Sequence, residues 1–194
     1  MKILIACEYS GIVREAFAKL GHDAWSCDLL DTDIPSSKHY KGDVFDIIND
    51  GFDMMIAHPP CTYLTNAGAR FLYPKKILNL ERLQQGMDAK DFFMKLLNSN
   101  IPKICIENPI SSKIFELPKY SQIIHPYEYG HPIQKKTCLW LKNLPKLIPT
   151  NIVEQRESTR IAGNWFNKGG KDRQKNRAKT FQGIADAFAN QWGV

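Results

Sequence analysis

The order in which short apolar runs and helical patterns alternate constrains this chain most. KILIAC at 2–7 is a continuous apolar run closed by the turn-like EYSG, as a buried strand would be. GIVREAFAKLG follows, with Ile12, Val13, Ala16, Phe17 and Leu20 at helical spacing and Gly21 placed as a C-terminal cap. HDAWSCD at 22–28 is a second strand, DVFDI follows a polar loop, and FDMMIA at 52–57 is a further strand. The longest helical pattern covers 77–100, with Leu83, Met87, Phe92, Met94, Leu96 and Leu97 as its apolar positions. IPKICIENP at 101–109 is again a strand, and 122–130 and 135–143 form a strand pair joined by a turn through Gly130 and Pro132. TFQGIADAFANQWG at 180–193 closes the chain as a helix. Strands alternating with helices build parallel β-α-β units. The expected fold is therefore α/β, a Rossmann-like, doubly wound, mostly parallel sheet with an antiparallel edge.

In such a sheet, ligands bind at the carboxyl ends of the strands. The residues falling there are Glu8, Asp28, Asp43, Cys61 and Glu107, four carboxylates and one thiol on a single rim. Each carboxylate has an alternative use as a cap or turn residue. Cys61 stands out because AHPPCTYLTNAG at 57–68 leaves its strand through two prolines. Proline fixes φ and lacks an N–H, so the chain cannot continue as a central strand and the thiol sits on a stiff loop. The alternative is a small apolar residue at a strand end. An acid after the second strand, here Asp28, is placed to grip a ribose. The first turn has only Gly11, without the glycine pattern that cradles a pyrophosphate, so a nucleoside lacking phosphates fits better than a dinucleotide.

Composition narrows the rest. The five cysteines, at 7, 27, 61, 105 and 138, include no C-x-x-C pair, and an odd count argues against a disulfide framework, so neither a structural zinc nor any other metal is expected. No apolar run reaches the length of a membrane span, and a cytoplasmic protein with no membrane partner is expected. Of the net charge of +6, +5 lies between residues 151 and 179, where eight basic residues face three acidic ones. That clustering suits a polyanion such as nucleic acid, and Trp165 and Phe166 within it are candidates to stack on a base. The alternative is a solvated loop. The expected organisation is a catalytic core over 1–150, a basic and mobile nucleic-acid-binding segment over 151–179, and a C-terminal helix over 180–194 packing back beside the first helix.

These residues resemble the DNA cytosine-5 methyltransferase family, in a small form of the phage and prophage kind without a full target-recognition domain. The family carries G-P-P-C-x-x-F-S-x-A-G. Here HPPCTYLTNAG matches at Pro59, Pro60, Cys61, Ala67 and Gly68, with His58 at the leading glycine. Its E-N-V is ENP at Glu107 to Pro109, and its Y-G-x-P-Q-x-R-x-R is YGHPIQKKT, matching Tyr129, Gly130 and Pro132, with Lys135 and Thr137 at the arginines. The similarity runs from residue 2 to about 144. Tyr9 and Ile12 stand at two of the first turn's glycine positions.

The resemblance implies S-adenosylmethionine (SAM) as methyl donor and cytosine carbon 5, in DNA, as acceptor. Carbon 5 is a poor nucleophile until a thiolate adds to carbon 6, the implied role of Cys61. Glu107 would act as general acid at ring nitrogen 3. Asn108 would support the loop, or simply form the turn before Pro109. Lys135 would lower the thiol pKa or hold a phosphate, or be a surface lysine. The cofactor residues implied are Glu8 near the methionine end, Asp28 on the ribose and Asp43 near the adenine, together with Gly11 and Pro59. Two other readings are compatible with the fold: a methyltransferase-like nucleic-acid- or protein-binding module without turnover, and an amino-group DNA methyltransferase. The latter's Asp/Asn-Pro-Pro-aromatic loop differs here at both His58 and Cys61.

Overall fold

A computed structural model describes residues 1–69, 71–154, 157–158 and 178–194. The chain forms β1 (Lys2–Ala6), α1 (Ile12–Lys19), β2 (Asp23–Asp28), β3 (His39–Lys41), β4 (Met54–Ala57), α2 (Asn66–Ala69), α3 (Leu80–Leu97), β5 (Lys103–Asn108), β6 (Gln122–Ile124), β7 (Ile133–Gln134), β8 (Thr137–Lys142), β9 (Glu157–Ser158) and α4 (Gln182–Trp192). Seven strands make one sheet in the order β3-β2-β1-β4-β5-β8-β6, and β7 and β9 form a separate two-stranded ribbon. The pairings from β3 across to β5 are parallel, whereas β8 runs antiparallel to both β5 and β6. The expected α/β fold is observed, with its antiparallel pairings confined to one side and the reversed strand next to last.

Period-two alternation assigns the strand residues to two cores. Ile3, Ile5, Met54, Ile56, Cys105 and Leu139 face α1 and α4, against Val13, Phe17, Ile184, Phe188 and Trp192. Leu4, Ala6, Met55, Ala57, Ile104, Ile106 and Trp140 face the other way, onto Phe93 and Leu96 of α3 and onto Phe115. Helices therefore cover both faces, and the closing helix lies beside α1 as the sequence leads one to expect. Gly183 allows that docking, since an added Cβ there would fall onto the Tyr129 carbonyl.

Some details differ from expectation. Met87 is exposed, and Phe93 joins Leu96 as a buried apolar residue of α3. Phe45 belongs to a single 3-10 turn over Val44–Asp46, and the edge strand is the preceding His39–Lys41. Most of the basic segment lies outside the described residues, including Arg156, Arg160, Lys168, Lys171, Arg173, Lys175, Arg177, Trp165 and Phe166. Its ends are fixed: Gly130 N–H donates to the Asn151 carbonyl at 2.7 Å, and Lys179 pairs with Asp33 at 2.8 Å. Among the described residues no helix is long and apolar enough to cross a membrane.

Candidate active site

Strand order reverses between β1 and β4, and the crevice beyond their carboxyl ends is where a doubly wound sheet holds ligands. The chain leaves β1 through Cys7, whose φ of 57° is uncommon for a residue with a side chain. Glu8 then turns its buried carboxylate onto the start of α1. Oε1 accepts from Val13 N–H at 2.7 Å and Ser10 Oγ at 3.1 Å, and Oε2 accepts from Arg14 N–H at 3.2 Å. An anion there satisfies amides that a helix start leaves without partners. Gly11, at φ 75°, is the residue before the helix, where an added Cβ would meet the Arg14 guanidinium. Arg14 itself is 1% exposed and ties α1 to Ser26, Thr32 and the Ile34 carbonyl. The structure thus places Glu8 and Gly11 at the cap of α1 and outside the residues that line the neighbouring cavity.

That cavity has a volume of about 410 Å³. Cys7, Cys27, Asp28, Gly42, Asp43 and Val44 line it from the strand ends, Pro60 and Tyr63 from the loop after β4, and Gln85, Asp88, Ala89 and Phe92 from α3. Asp28 accepts from Leu30 N–H at 2.9 Å, and burial pushes its carboxyl above the ordinary aspartate range. Asp43 accepts from Phe45 N–H at 3.0 Å, and Asp88 from Gln84 Nε2 at 2.8 Å. Burial, aided by Asp28, pushes the Cys27 thiol up to about 12 and the Cys7 thiol higher still, so both are neutral walls. Among the described residues the lining holds three carboxylates and no lysine, arginine or histidine. It suits a small ligand with positive charge and hydroxyl groups, and opposes a phosphate. Pro60 lines this space, whereas Pro59 is buried beneath the loop and absent from the lining.

The loop carrying Cys61 is held at both ends. His58 N–H donates to the Ala6 carbonyl at 2.9 Å, and the Cys61 carbonyl accepts from Leu64 and Thr65 N–H at 3.1 and 3.2 Å. Ser112 N–H donates to the Leu64 carbonyl at 2.7 Å, fastening the loop to the segment after β5. Arg82 of α3 donates to the Thr62 carbonyl at 3.0 Å, and its guanidinium lies 4.4 Å from the Tyr63 ring centre. Gly68 fits here because an added Cβ would strike the Thr62 carbonyl. Cys61 is half-buried.

Register sets the acid beside this loop. Ala57 of β4 pairs with Ile106 of β5, so the next residues, His58 and Glu107, meet at the rim. His58 Nδ1 lies 3.3 Å from Glu107 Oε2, with side chains 8% and 20% exposed. Burial alone would raise the Glu107 carboxyl. The His58 hydrogen bond, the Lys135 charge and the Thr137 hydroxyl outweigh it and hold the carboxyl below the ordinary glutamate range. A second, small cleft is lined by Glu107, Lys135 and Thr137 together with Lys179, Thr180 and Phe181. Asn108 is 2% exposed, and neither end of its amide has a hydrogen-bond partner among the described residues. Each such orphan costs about 1–3 kcal/mol.

The expected site residues thus divide into neighbouring groups. Asp28 and Asp43 border the cavity, Cys61 follows Pro60 of its lining, Glu107 and Lys135 share the second, smaller cleft, and Glu8 and Gly11 serve α1. Sequence reasoning missed Gln85 and Asp88, although Gln85, Asp88, Ala89 and Phe92 fall on one helical face. It also passed over Arg82 and treated His58 as a plain strand end. Among the described residues no group of three or more histidine, cysteine, aspartate and glutamate side chains is placed to hold a metal.

No protein-family model matches the chain, and no curated protein matches it. Among solved structures, one named as a DNA modification methyltransferase encoded within an E. coli prophage aligns at 18% identity and TM-score 0.46, covering 86% of this chain and 55% of that one. The Entamoeba histolytica methyltransferase EhMeth aligns at 11% identity and TM-score 0.46, covering 88% of this chain and 61% of that one. The chain spans between 55% and 61% of the length of these two proteins.

Proposed function

We propose that this protein is a SAM-dependent methyltransferase acting on carbon 5 of cytosine in DNA. The observation that carries the reading is a loop, His58-Pro59-Pro60-Cys61, whose first residue meets Glu107 across β4 and β5 and whose Pro60 lines a cavity edged with carboxylates. Asp28, Asp43 and Asp88 would hold the cofactor, and when bound it supplies the methyl group. Cys61, as thiolate, adds to carbon 6 and forms a C–S bond. The electron pair of the 5,6 double bond moves into the ring, where a proton delivered through Glu107 to nitrogen 3 stabilises it. Carbon 5 becomes nucleophilic and is methylated. Water then takes the carbon-5 proton, its bonding pair restores the 5,6 double bond as the C–S bond breaks, the nitrogen-3 proton returns to Glu107, and the Cys61 thiolate is regenerated. Asn108 would support the loop, its buried amide having no hydrogen-bond partner among the described residues. Lys135 offsets the negative charge around the reacting ring.

The test is mass spectrometry of nucleosides from DNA incubated with the purified protein and SAM. 5-Methylcytosine is expected from the wild-type protein and none from Cys61→Ser. Methylation at an amino group, or no methylated base with duplex, single-stranded or RNA substrates, would contradict the reading.

A further inference from the structure

Apolar side chains exposed singly over a surface carry no message, whereas a dense group does. Fifteen large hydrophobic residues are exposed among the described residues, and five of them, Phe71, Tyr73, Ile77, Leu78 and Leu80, fall within ten consecutive positions. The stretch leads directly out of the nucleophile loop, where Phe71 N–H donates to the Gly68 carbonyl at 3.1 Å. Leu72 is buried and pegs it to the core. Asn79 N–H donates to the Leu72 carbonyl at 2.8 Å and closes the loop where α3 begins. The apolar side chains around the peg therefore project from a loop fixed at its base, and folding leaves them in water.

The tip of this loop is cationic. Lys75 and Lys76 have φ of 53° and 65°, a region that glycine adopts more readily. Glycine would serve a bare turn better, so the two lysines call for another reason. No acidic residue occurs between positions 71 and 80. The Arg82 guanidinium lies 5.4 Å from the Phe71 ring centre and 4.4 Å from that of Tyr63, which lines the cavity. The patch is thus continuous with the wall of the candidate site. Aromatic faces beside lysines hold a single nucleic-acid strand, because bases stack on the rings while ammonium groups meet phosphates. A paired duplex keeps its base faces stacked on one another, so it would leave these side chains against phosphate and water.

We propose that the face carried by residues 71–80 is a platform for an unpaired stretch of DNA beside the target cytosine. This rests on the cytosine reading above, which supplies DNA as the polymer. Phe71 and Tyr73 stack on bases, Ile77, Leu78 and Leu80 extend the apolar floor, and Lys75 and Lys76 pair with phosphates. The protein then favours single-stranded over fully paired DNA, a preference that no step at Cys61 requires.

Fluorescence anisotropy on the intact protein without SAM tests this, using one labelled DNA strand of about 20 nucleotides, either alone or annealed to its complement. The strand alone should bind about tenfold more tightly than the duplex at equal salt. Tyr73→Ala should weaken single-strand binding by about tenfold, within the usual worth of one stacked base, and Tyr73→Phe should restore it. Replacing Lys75 and Lys76 together by glutamine should flatten the single-strand salt slope by about 1.4, at 0.7 for each phosphate no longer neutralised. These side chains are exposed, so every variant should melt near the wild-type temperature. Equal or tighter binding of the duplex would overturn the proposal, as would a Tyr73→Ala protein that holds the single strand like the wild type. A dimer in sedimentation that Tyr73→Ala disperses would also overturn it, because a second copy would then cover the patch. The cytosine reading fails separately. Strong single-strand binding with no 5-methylcytosine overturns that reading alone, whereas 5-methylcytosine formation with the duplex preferred overturns the platform alone.

Discussion

At the scale of single residues, the strand-end acids divide by what they touch. Glu8 and Asp28 follow neighbouring parallel strands, yet Glu8 caps α1 through both oxygens while Asp28 borders a cavity. Glu8→Ala should therefore destabilise the fold by about 1.5–3 kcal/mol, the usual worth of hydrogen bonds to a charged group, read by urea unfolding. SAM affinity measured under native conditions should change little. Unchanged stability with lost cofactor binding would reverse that assignment. Which end residues are polar was legible in the sequence. Which of them face inward was not, because the direction of a carboxylate depends on where the next helix presents its free amides. His58 illustrates the same gap: its partner is 49 positions away and becomes visible only through the β4–β5 register.

At the scale of elements, α1, α3, α4 and the four strongest strands follow from apolar periodicity, because each buries its apolar side on a sheet covered on both faces. The edge strand His39–Lys41 does not follow from it, since its side chains are half-buried or exposed and its sequence is polar. Likewise the apolar pattern of α3 masked the polar face it turns to the cavity. Its polar positions Gln85 and Asp88 roof the cavity, while Phe93 and Leu96 reach the core. If the cavity holds a cationic nucleoside, Asp88→Asn should weaken SAM binding by about tenfold in calorimetry, ~1.4 kcal/mol, without changing the melting temperature appreciably. Unaltered affinity would remove α3 from the cofactor site. The antiparallel pair was legible from its two apolar runs, but its first strand ends at Ile124, and the turn through Gly130 and Pro132 leads into β7 of the separate ribbon before β8 begins.

At the scale of the whole molecule, charge and chemistry occupy separate parts of the chain. The basic excess lies in 151–179, after the strands that build the rim, and its described ends meet the Tyr127–Gly130 region and Asp33. If that segment holds DNA through phosphates, affinity should fall steeply with salt. Replacing Lys168, Lys171, Arg173 and Lys175 by glutamine should then flatten the slope of log affinity against log salt by about three to four, close to 0.9 for each phosphate no longer neutralised. An unchanged slope would assign the segment to solvation alone. Attack of Cys61 on cytosine, the proposed first step, leaves a covalent trace on a 5-fluorocytosine substrate. Fluorine at carbon 5 cannot leave as a proton, so a methylated adduct would have no route to expel the thiolate. Denaturing electrophoresis and peptide mass spectrometry should find protein and DNA joined through Cys61 only when SAM is present, with no adduct in Cys61→Ser. Methylation of the fluorinated DNA without any covalent complex, or an adduct that survives Cys61→Ser, would contradict it.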